Sequence, residues 1–208
     1  GKPCDVSNIE QFDGNNTISE SETSSLITPP IRQDKITSAV HLPAIATYNM
    51  RSLFPKLGNV KIDLLERGIS LGFFCEIWQK AENRNHALEI ENMLESEGLK
   101  YISTPRPRGW GGAAIIVNQE KFILEKLNVV IPHNLEVVWG LVKTKAEDAK
   151  FKRILACSFY SPPRTKKNQK LVDHLVTTLQ MLSTRYPNAP IIMGADKNSM
   201  DIKPLLNC

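Results

Sequence analysis

The chain has 208 residues, 41% of them hydrophobic and 23% charged, and these proportions are ordinary for a soluble globular protein. A chain of this length can bury a sizeable core, and it predicts one domain with room for a tail. The formal net charge of +4 is mildly basic, which is compatible with a polyanionic partner but does not by itself predict one. The N-terminus has no apolar signal core and no stretch is long enough to span a membrane, so no membrane association is expected.

The four cysteines are Cys4, Cys75, Cys157 and Cys208. They form no Cys-x-x-Cys pair, and no histidine lies at zinc-ligand spacing from them, which argues against a zinc site. Two of them, Cys75 and Cys157, lie inside apolar runs and are predicted to be reduced core residues. This pattern favours a reducing, intracellular setting.

Residues 1–40 are polar, rich in Ser, Thr, Asn and Glu, and show neither a helical nor a strand period. Since such a segment cannot bury enough apolar surface to offset the entropy of ordering, it is predicted to be a flexible tail. The globular part is therefore predicted to span residues 41–208.

Apolar runs bounded by Gly, Pro or polar residues predict the strands, and amphipathic spacing predicts the helices. Strands are expected at residues 42–48, 69–75, 101–103, 113–117, 129–131, 136–143, 151–160 and 191–193. Helices are expected at residues 57–68, 87–98 and 168–186. Because three helices cannot supply a crossover for every strand pair, the pattern favours mixed strands in two packed sheets with helices outside over a purely parallel sheet.

Five polar residues follow apolar runs and begin loops: Asn49, Glu76, Tyr160, Asp196 and Asn198. If the strands lie side by side, the five side chains converge on one rim of the sheets. Two acids, two amides and a phenol form an oxygen-rich set suited to Mg²⁺, which takes one or two carboxylates and keeps several waters. Such a site can polarise a phosphoryl oxygen and activate a water molecule.

Four arginines in nearby segments are candidates for holding a phosphate backbone: Arg51, Arg106, Arg108 and Arg164. For Arg106 and Arg108, solvated loop charges are the favoured interpretation. The other site residues also have structural alternatives: Asn49 as a cap, Glu76 as a surface acid, Tyr160 as a half-buried strand residue, and the Asp-x-Asn pair as an Asx turn. Taken alone, each residue favours its structural alternative, whereas the repeated pattern of a strand followed by a polar residue favours a site.

Five motifs in order carry a resemblance to a known family. They are Tyr-Asn-Met-Arg-Ser-Leu at 48–53, Cys-Glu-Ile-Trp at 75–78, Gly-Trp-Gly-Gly-Ala-Ala at 109–114, Phe-Tyr-Ser-Pro-Pro at 159–163 and Gly-Ala-Asp-Lys-Asn at 194–198. The ordered set resembles the endonuclease/exonuclease/phosphatase superfamily, which includes deoxyribonuclease-I-like and apurinic/apyrimidinic-endonuclease-like enzymes. The first and fourth motifs are most similar to the endonuclease domain of non-LTR retrotransposons. The resemblance covers residues 44–208.

The resemblance implies a two-sheet α/β sandwich of the deoxyribonuclease-I type with flanking helices, in agreement with the pattern of strands and helices. It implies that Glu76 is the principal ligand of Mg²⁺, with Mn²⁺ as an alternative ion, and that Asn49 lies beside it. It also implies that Tyr160 contacts the scissile phosphate, that Asp196 orients or deprotonates the attacking water, and that Asn198 helps to hold the phosphate and that acid. The implied reaction is hydrolysis of a DNA phosphodiester by in-line attack of water.

The sequence departs from the family pattern in two ways. One residue separates Gly194 from the Asp-x-Asn pair, which the family places directly after the glycine. The Ser-Asp-His motif, whose histidine contacts the phosphate in the family, does not follow Asn198 in these residues. The sandwich is therefore expected to lack its last strands and to leave an edge unpaired. DNA hydrolysis is expected to be crippled, so the status of the chain as an enzyme is left open.

Two alternatives stand beside the retrotransposon-type endonuclease. One is a non-catalytic remnant that binds nucleic acid or protein, and the other is a phosphatase of the same superfamily acting on phosphoinositides or other small phosphoesters. The basic charge and the motifs favour DNA, with Arg51 and Arg164 as the substrate-binding residues. A reverse transcriptase domain in a longer polyprotein is a further expected partner. The expected location is intracellular, in the nucleus.

Overall fold

The computed structural model describes residues 43–79, 84–105, 111–163 and 167–206, which form two four-stranded sheets. The strands are β1 (Ile45–Asn49), β2 (Leu71–Cys75), β3 (Leu99–Thr104), β4 (Ala113–Asn118), β5 (Phe122–Lys126), β6 (Glu136–Thr144), β7 (Arg153–Tyr160) and β8 (Ile191–Asp196). The helices are α1 (Leu57–Lys61), α2 (Arg84–Glu95), α3 (Lys167–Arg185) and α4 (Lys203–Leu206). A 3₁₀ turn (Phe54–Lys56) precedes α1, and a π-helical turn (Ile62–Glu66) follows it. None of the helices in these residues is long and apolar enough to cross a membrane. The tail predicted at residues 1–40 lies outside the described residues.

The first sheet has the strand order β1-β2-β4-β3 and the second the order β5-β6-β7-β8. The pairs β1–β2 and β7–β8 are parallel, and the other described pairs are antiparallel. The predicted two-sheet α/β sandwich with mixed strands and outer helices is thereby confirmed. Because parallel neighbours run the same way, the carboxyl ends of β1 and β2 lie at one edge, and so do those of β7 and β8.

The core has three parts, because side chains alternate between the two faces of each strand. Phe73 and Val138 pack between the sheets. Phe74, the next residue of β2, points to the opposite face and packs with residues of α1 and α2. On the outer face of the second sheet, Trp139 packs with the leucines of α3. Burial on both faces makes β2, β6 and β7 rigid supports for the residues at their ends.

The prediction of a strand at residues 129–131 was wrong. The strand that precedes β6 is β5, which spans Phe122–Lys126. Phe122 and Leu124 are only 7% and 6% exposed, while Ile123 between them is 47% exposed. This alternation is the pattern of a strand with one buried face. Val130, by contrast, is 90% exposed, so a strand centred there would have no core to cover.

Gly194 in β8 lies against the side chain of Phe73, and we expect Gly194→Ala to destabilise the fold. A Cβ atom at Gly194 would lie 2.2 Å from both Cβ and Cγ of Phe73, so one of the strands would have to move. Such overpacking typically costs roughly 1–3 kcal/mol, which urea unfolding would measure. Gly58 in α1 is the matched control, because a Cβ there meets open space and Gly58→Ala should be neutral or stabilising by about 0.5–1 kcal/mol. Equal stabilities of the two variants would contradict this contact.

Candidate metal and phosphate site

The carboxyl ends of the two parallel strand pairs carry the predicted polar residues at one rim of the sandwich. Asn49 ends β1 and pairs with Cys75, so Glu76 follows directly beside it. Tyr160 ends β7 and pairs with Asp196, the last residue of β8. Four of the five predicted residues therefore lie at or directly after the ends of paired parallel strands: Asn49, Glu76, Tyr160 and Asp196.

Two hydrogen bonds tie the sheets together just below this rim. The Cys75 thiol donates to the carbonyl of Phe159 at 3.1 Å, and the Ser158 hydroxyl donates to the carbonyl of Phe74 at 3.1 Å. Burial raises the pKa of Cys75 to about 12, so the thiol stays protonated and keeps its role as a donor. The cysteines at 75 and 157 are free and buried, as predicted. These two bonds hold β2 and β7 in fixed positions beneath the rim.

Asn49 joins the carboxylates of the two sheets. Its Nδ2 donates to Glu76 Oε1 at 3.0 Å and to Asp196 Oδ2 at 2.7 Å. Burial raises the pKa of Tyr160 above its ordinary value, and the nearby Glu76 carboxylate raises it further. The phenol is therefore protonated throughout the physiological pH range. Asn49, Glu76 and Asp196 form one hydrogen-bonded group, and the Tyr160 phenol lies near Glu76.

Asn198 lies beside this group, but its side chain is engaged with the chain after β7. Its Nδ2 donates to the carbonyl of Ser161 at 2.7 Å. Its backbone N–H donates to Asp196 Oδ1 at 3.3 Å, which makes the Asp-x-Asn step an Asx-type turn. The turn therefore orients Asp196, while the amide nitrogen of Asn198 holds the neighbouring loop.

Arg51 is exposed in the loop that follows Asn49. It lies two residues after Asn49, the last residue of β1. Arg164 lies outside the described residues, as do Arg106 and Arg108. Phosphate binding by Arg51 and Arg164 stays a prediction.

The loops that carry the site hold several non-glycine residues in the left-handed backbone region. The φ angle is 46° at Arg51, 88° at Ser52, 53° at Glu76, 53° at Trp78 and 44° at Asn198. Each such residue costs roughly 1–3 kcal/mol and persists only where its surroundings over-determine it. Here the Ser52 N–H donates to the carbonyl of Glu76 at 2.9 Å and locks two of the loops together. Clusters of strained residues are typical of functional sites.

The donor set at the rim fits a hard divalent cation. The carboxylates of Glu76 and Asp196 converge on one nitrogen of Asn49, so a cation beside them would relieve their mutual repulsion. Across the described ranges, no group of three or more His, Cys, Asp or Glu side chains gathers around a possible metal position. Two carboxylates with water in the remaining positions are nevertheless a set that Mg²⁺ commonly uses. The residues present therefore fit Mg²⁺ or Mn²⁺ at Glu76, with Asn49 and Asp196 beside it.

Sequence reasoning missed two buried polar residues near the rim. Glu136 is 2% exposed, and its Oε2 accepts the N–H of Gly112 at 2.6 Å. Gln79 is also 2% exposed, and its Oε1 accepts the hydroxyls of Tyr101 at 2.5 Å and Ser103 at 3.0 Å. An acid at the first position of an apolar strand was the only sequence signal for Glu136, and it indicates a strand boundary equally well.

The two sheets and their parallel pairs form a deoxyribonuclease-I-like sandwich, the fold of the solved structures to which this chain is similar. An AP endonuclease (LMAP) from Leishmania major is similar with a TM-score of 0.53, at 14% identity over 72% of this chain and 53% of that one. The human Nocturnin catalytic domain is similar with a TM-score of 0.51, at 15% identity over 69% and 56% of the two chains. The 3′-5′ exonuclease NExo from Neisseria meningitidis is similar with a TM-score of 0.51, at 14% identity over 73% and 56%.

No protein-family model and no curated protein matches the sequence. At identities of 14–15%, these structural similarities show the fold, and the resemblance drawn from the sequence motifs is confirmed at that level. The chain spans little more than half the length of the three solved structures, at 53–56% of each. Any inference about the function of this chain therefore depends on its own rim residues.

Proposed function

We propose that this chain is a divalent-metal-dependent phosphodiesterase domain of the retrotransposon endonuclease type, with DNA as its substrate. One observation carries the proposal: Asn49 joins Glu76 of one sheet to Asp196 of the other. The motifs at residues 48–53 and 159–163 support the retrotransposon type, because they are similar to those of such endonucleases. A reverse transcriptase in the same polyprotein and a nuclear location belong to the same proposal.

Glu76, with Asn49 beside it, would hold Mg²⁺, which when bound stabilises negative charge on the phosphoryl group. Asp196 takes the proton of the attacking water. Both of its oxygens are oriented, one by Asn49 and the other by the N–H of Asn198. A carboxylate held in this way is aligned in advance as a general base.

Tyr160 supplies a hydrogen-bond donor to the phosphate. Because burial and the nearby Glu76 carboxylate raise its pKa, the phenol carries its proton at neutral pH and can donate a hydrogen bond to a phosphoryl oxygen. Arg51, exposed on the same rim, pairs with a backbone phosphate of the DNA. Asn198 contributes by holding Asp196, since its own amide nitrogen stays on the carbonyl of Ser161.

The 208 residues contain no histidine after Asn198, so the histidine donor of the Ser-Asp-His motif is missing from them. We therefore expect this chain to bind metal and DNA and to hydrolyse DNA slowly.

The test compares the wild-type chain with Asp196→Asn in two assays: binding of a labelled DNA duplex with and without Mg²⁺, and nicking of supercoiled plasmid. The asparagine keeps an oxygen that can accept from Asn49 but cannot act as the base. We expect both proteins to bind DNA in a Mg²⁺-dependent manner that salt weakens, and only the wild type to nick the plasmid, slowly. Asp201→Asn is the matched control, because Asp201 is exposed and accepts the N–H of Lys203 at 3.0 Å, two residues further along the chain.

Other outcomes would identify the alternatives. Binding of DNA that does not require Mg²⁺, without any nicking, would overturn the proposal in favour of a non-catalytic remnant. Release of phosphate from inositol phosphates, with the plasmid left intact, would overturn it in favour of a phosphatase.

A further inference from the structure

Glu136 is a buried carboxylate one strand away from the site. It begins β6 directly opposite Tyr160 in β7, and it is 2% exposed. Its Oε2 accepts the N–H of Gly112 at 2.6 Å, across 24 positions of sequence. A carboxylate is costly to bury unless it is hydrogen-bonded, so the bond to Gly112 is the contact that holds this side chain in place.

Two consecutive glycines, Gly111 and Gly112, lie next to this carboxylate. A Cβ at Gly111 would lie 2.0 Å from Glu136 Oε2, and a Cβ at Gly112 would lie 2.8 Å from Cγ1 of Ile77. Both glycines have φ angles near the left-handed region, 86° and 87°, which other residues rarely adopt. The Gly-Gly step is therefore fitted between Glu136 on one side and the chain after Glu76 on the other.

The same step holds the segment that carries Glu76. The carbonyl of Gly111 accepts the N–H of Trp78 at 2.8 Å. Glu76 and Trp78 both have a φ of 53°, so the segment is strained and depends on such bonds to keep its conformation. A chain of two hydrogen bonds thus runs from the Glu136 carboxylate through Gly112 and Gly111 to Trp78, two residues from Glu76.

We propose that Glu136 is a positioning residue that fixes the Gly111–Gly112 step and, through it, the backbone conformation that presents Glu76 to the metal. This inference rests on the proposed function, because it concerns the same metal site. Residues that orient metal ligands without touching the metal typically contribute a factor of roughly 10–100 to metal affinity. Glu136 is assigned that role here. Position 111 must be glycine, because Glu136 occupies the space that a Cβ atom there would need.

The experiment compares the wild type with Glu136→Ala and Glu136→Gln in two measurements: Mn²⁺ affinity by electron paramagnetic resonance, and amide exchange at Trp78 and Gly112 by NMR. Glu136→Ala should weaken Mn²⁺ binding by about 10–100-fold and speed exchange at both amides. Glu136→Gln, which keeps an acceptor for the Gly112 N–H, should restore slow exchange and most of the affinity. Val142→Ala is the matched control, because Val142 is fully buried in the same strand, β6, near its far end. It should lower stability and leave Mn²⁺ affinity unchanged.

Three results would overturn the inference. The first is wild-type Mn²⁺ affinity in Glu136→Ala. The second is an equal loss in Glu136→Gln and Glu136→Ala, which would assign the effect to charge instead of position. The third is a loss of the same size in Val142→Ala. If the wild-type chain binds no Mn²⁺ at all, the proposed function fails, and exchange at Trp78 still decides whether Glu136 holds the Glu76 segment.

Discussion

Glu76→Gln is expected to abolish specific Mn²⁺ binding, with affinity falling by more than about 100-fold, since loss of an outer partner alone costs roughly 10–100-fold. The glutamine keeps an oxygen that can accept from Asn49, so the hydrogen bond between positions 49 and 76 can be retained. It also removes one of two neighbouring negative charges, which relieves repulsion with Asp196. In EDTA the variant should therefore melt at the wild-type temperature or above it, while the rise in Tm that Mn²⁺ gives the wild type should be absent.

The comparison needs an acid that lies outside the rim. Glu97 serves, because its side chain is 39% exposed and pairs with Lys61 at 2.6 Å on the helical side of the first sheet. Glu97→Gln should keep the full response to Mn²⁺. If Glu76→Gln still binds one Mn²⁺ ion with wild-type affinity, then Glu76 is not the principal ligand and the metal site has been placed wrongly.

Raising the pH above 9 is expected to destabilise the chain steeply. Burial raises the pKa of the Cys157 thiol well above its ordinary value, and burial likewise raises the pKa of Tyr101. The unfolded chain ionises these groups near their ordinary values of 9.0 and 10.0, whereas the folded chain keeps them protonated. Their stabilising contribution is therefore complete below those values. Above them, the unfolding free energy falls by about 1.4 kcal/mol per pH unit for each group, until the pH reaches the folded pKa.

Urea unfolding under reducing conditions, measured at intervals from pH 8 upward, would give this slope. Cys157→Ala and Tyr101→Phe should each flatten the slope, because each removes one group that ionises only after unfolding. Their stabilities at pH 7.5 will also change, so the dependence on pH is the relevant quantity. A stability that stays constant above pH 9, or a slope unaffected by both substitutions, would contradict the buried, protonated state of these side chains.

The rim residues were accessible from the sequence because each of them follows an apolar run. Asn49, Glu76 and Tyr160 come at or directly after the ends of strands, and parallel pairing then carries them to the same edge. Asn198 was more ambiguous, since an Asp-x-Asn step suits both a turn and a ligand. The hydrogen bond from its amide to the carbonyl of Ser161 favours the turn, and no local pattern contains that information.

By itself, the sequence determined the mixed two-sheet class and the candidate rim residues, because both depend on apolar periodicity within short segments. The tertiary structure decided which strands pair, that β5 forms at Phe122–Lys126, and that Asn49 bridges two carboxylates from different sheets. It also decided the place of Glu136 beneath the Gly111–Gly112 step. These contacts join residues far apart in the chain, so they follow from strand register and close packing, which local residue patterns do not encode.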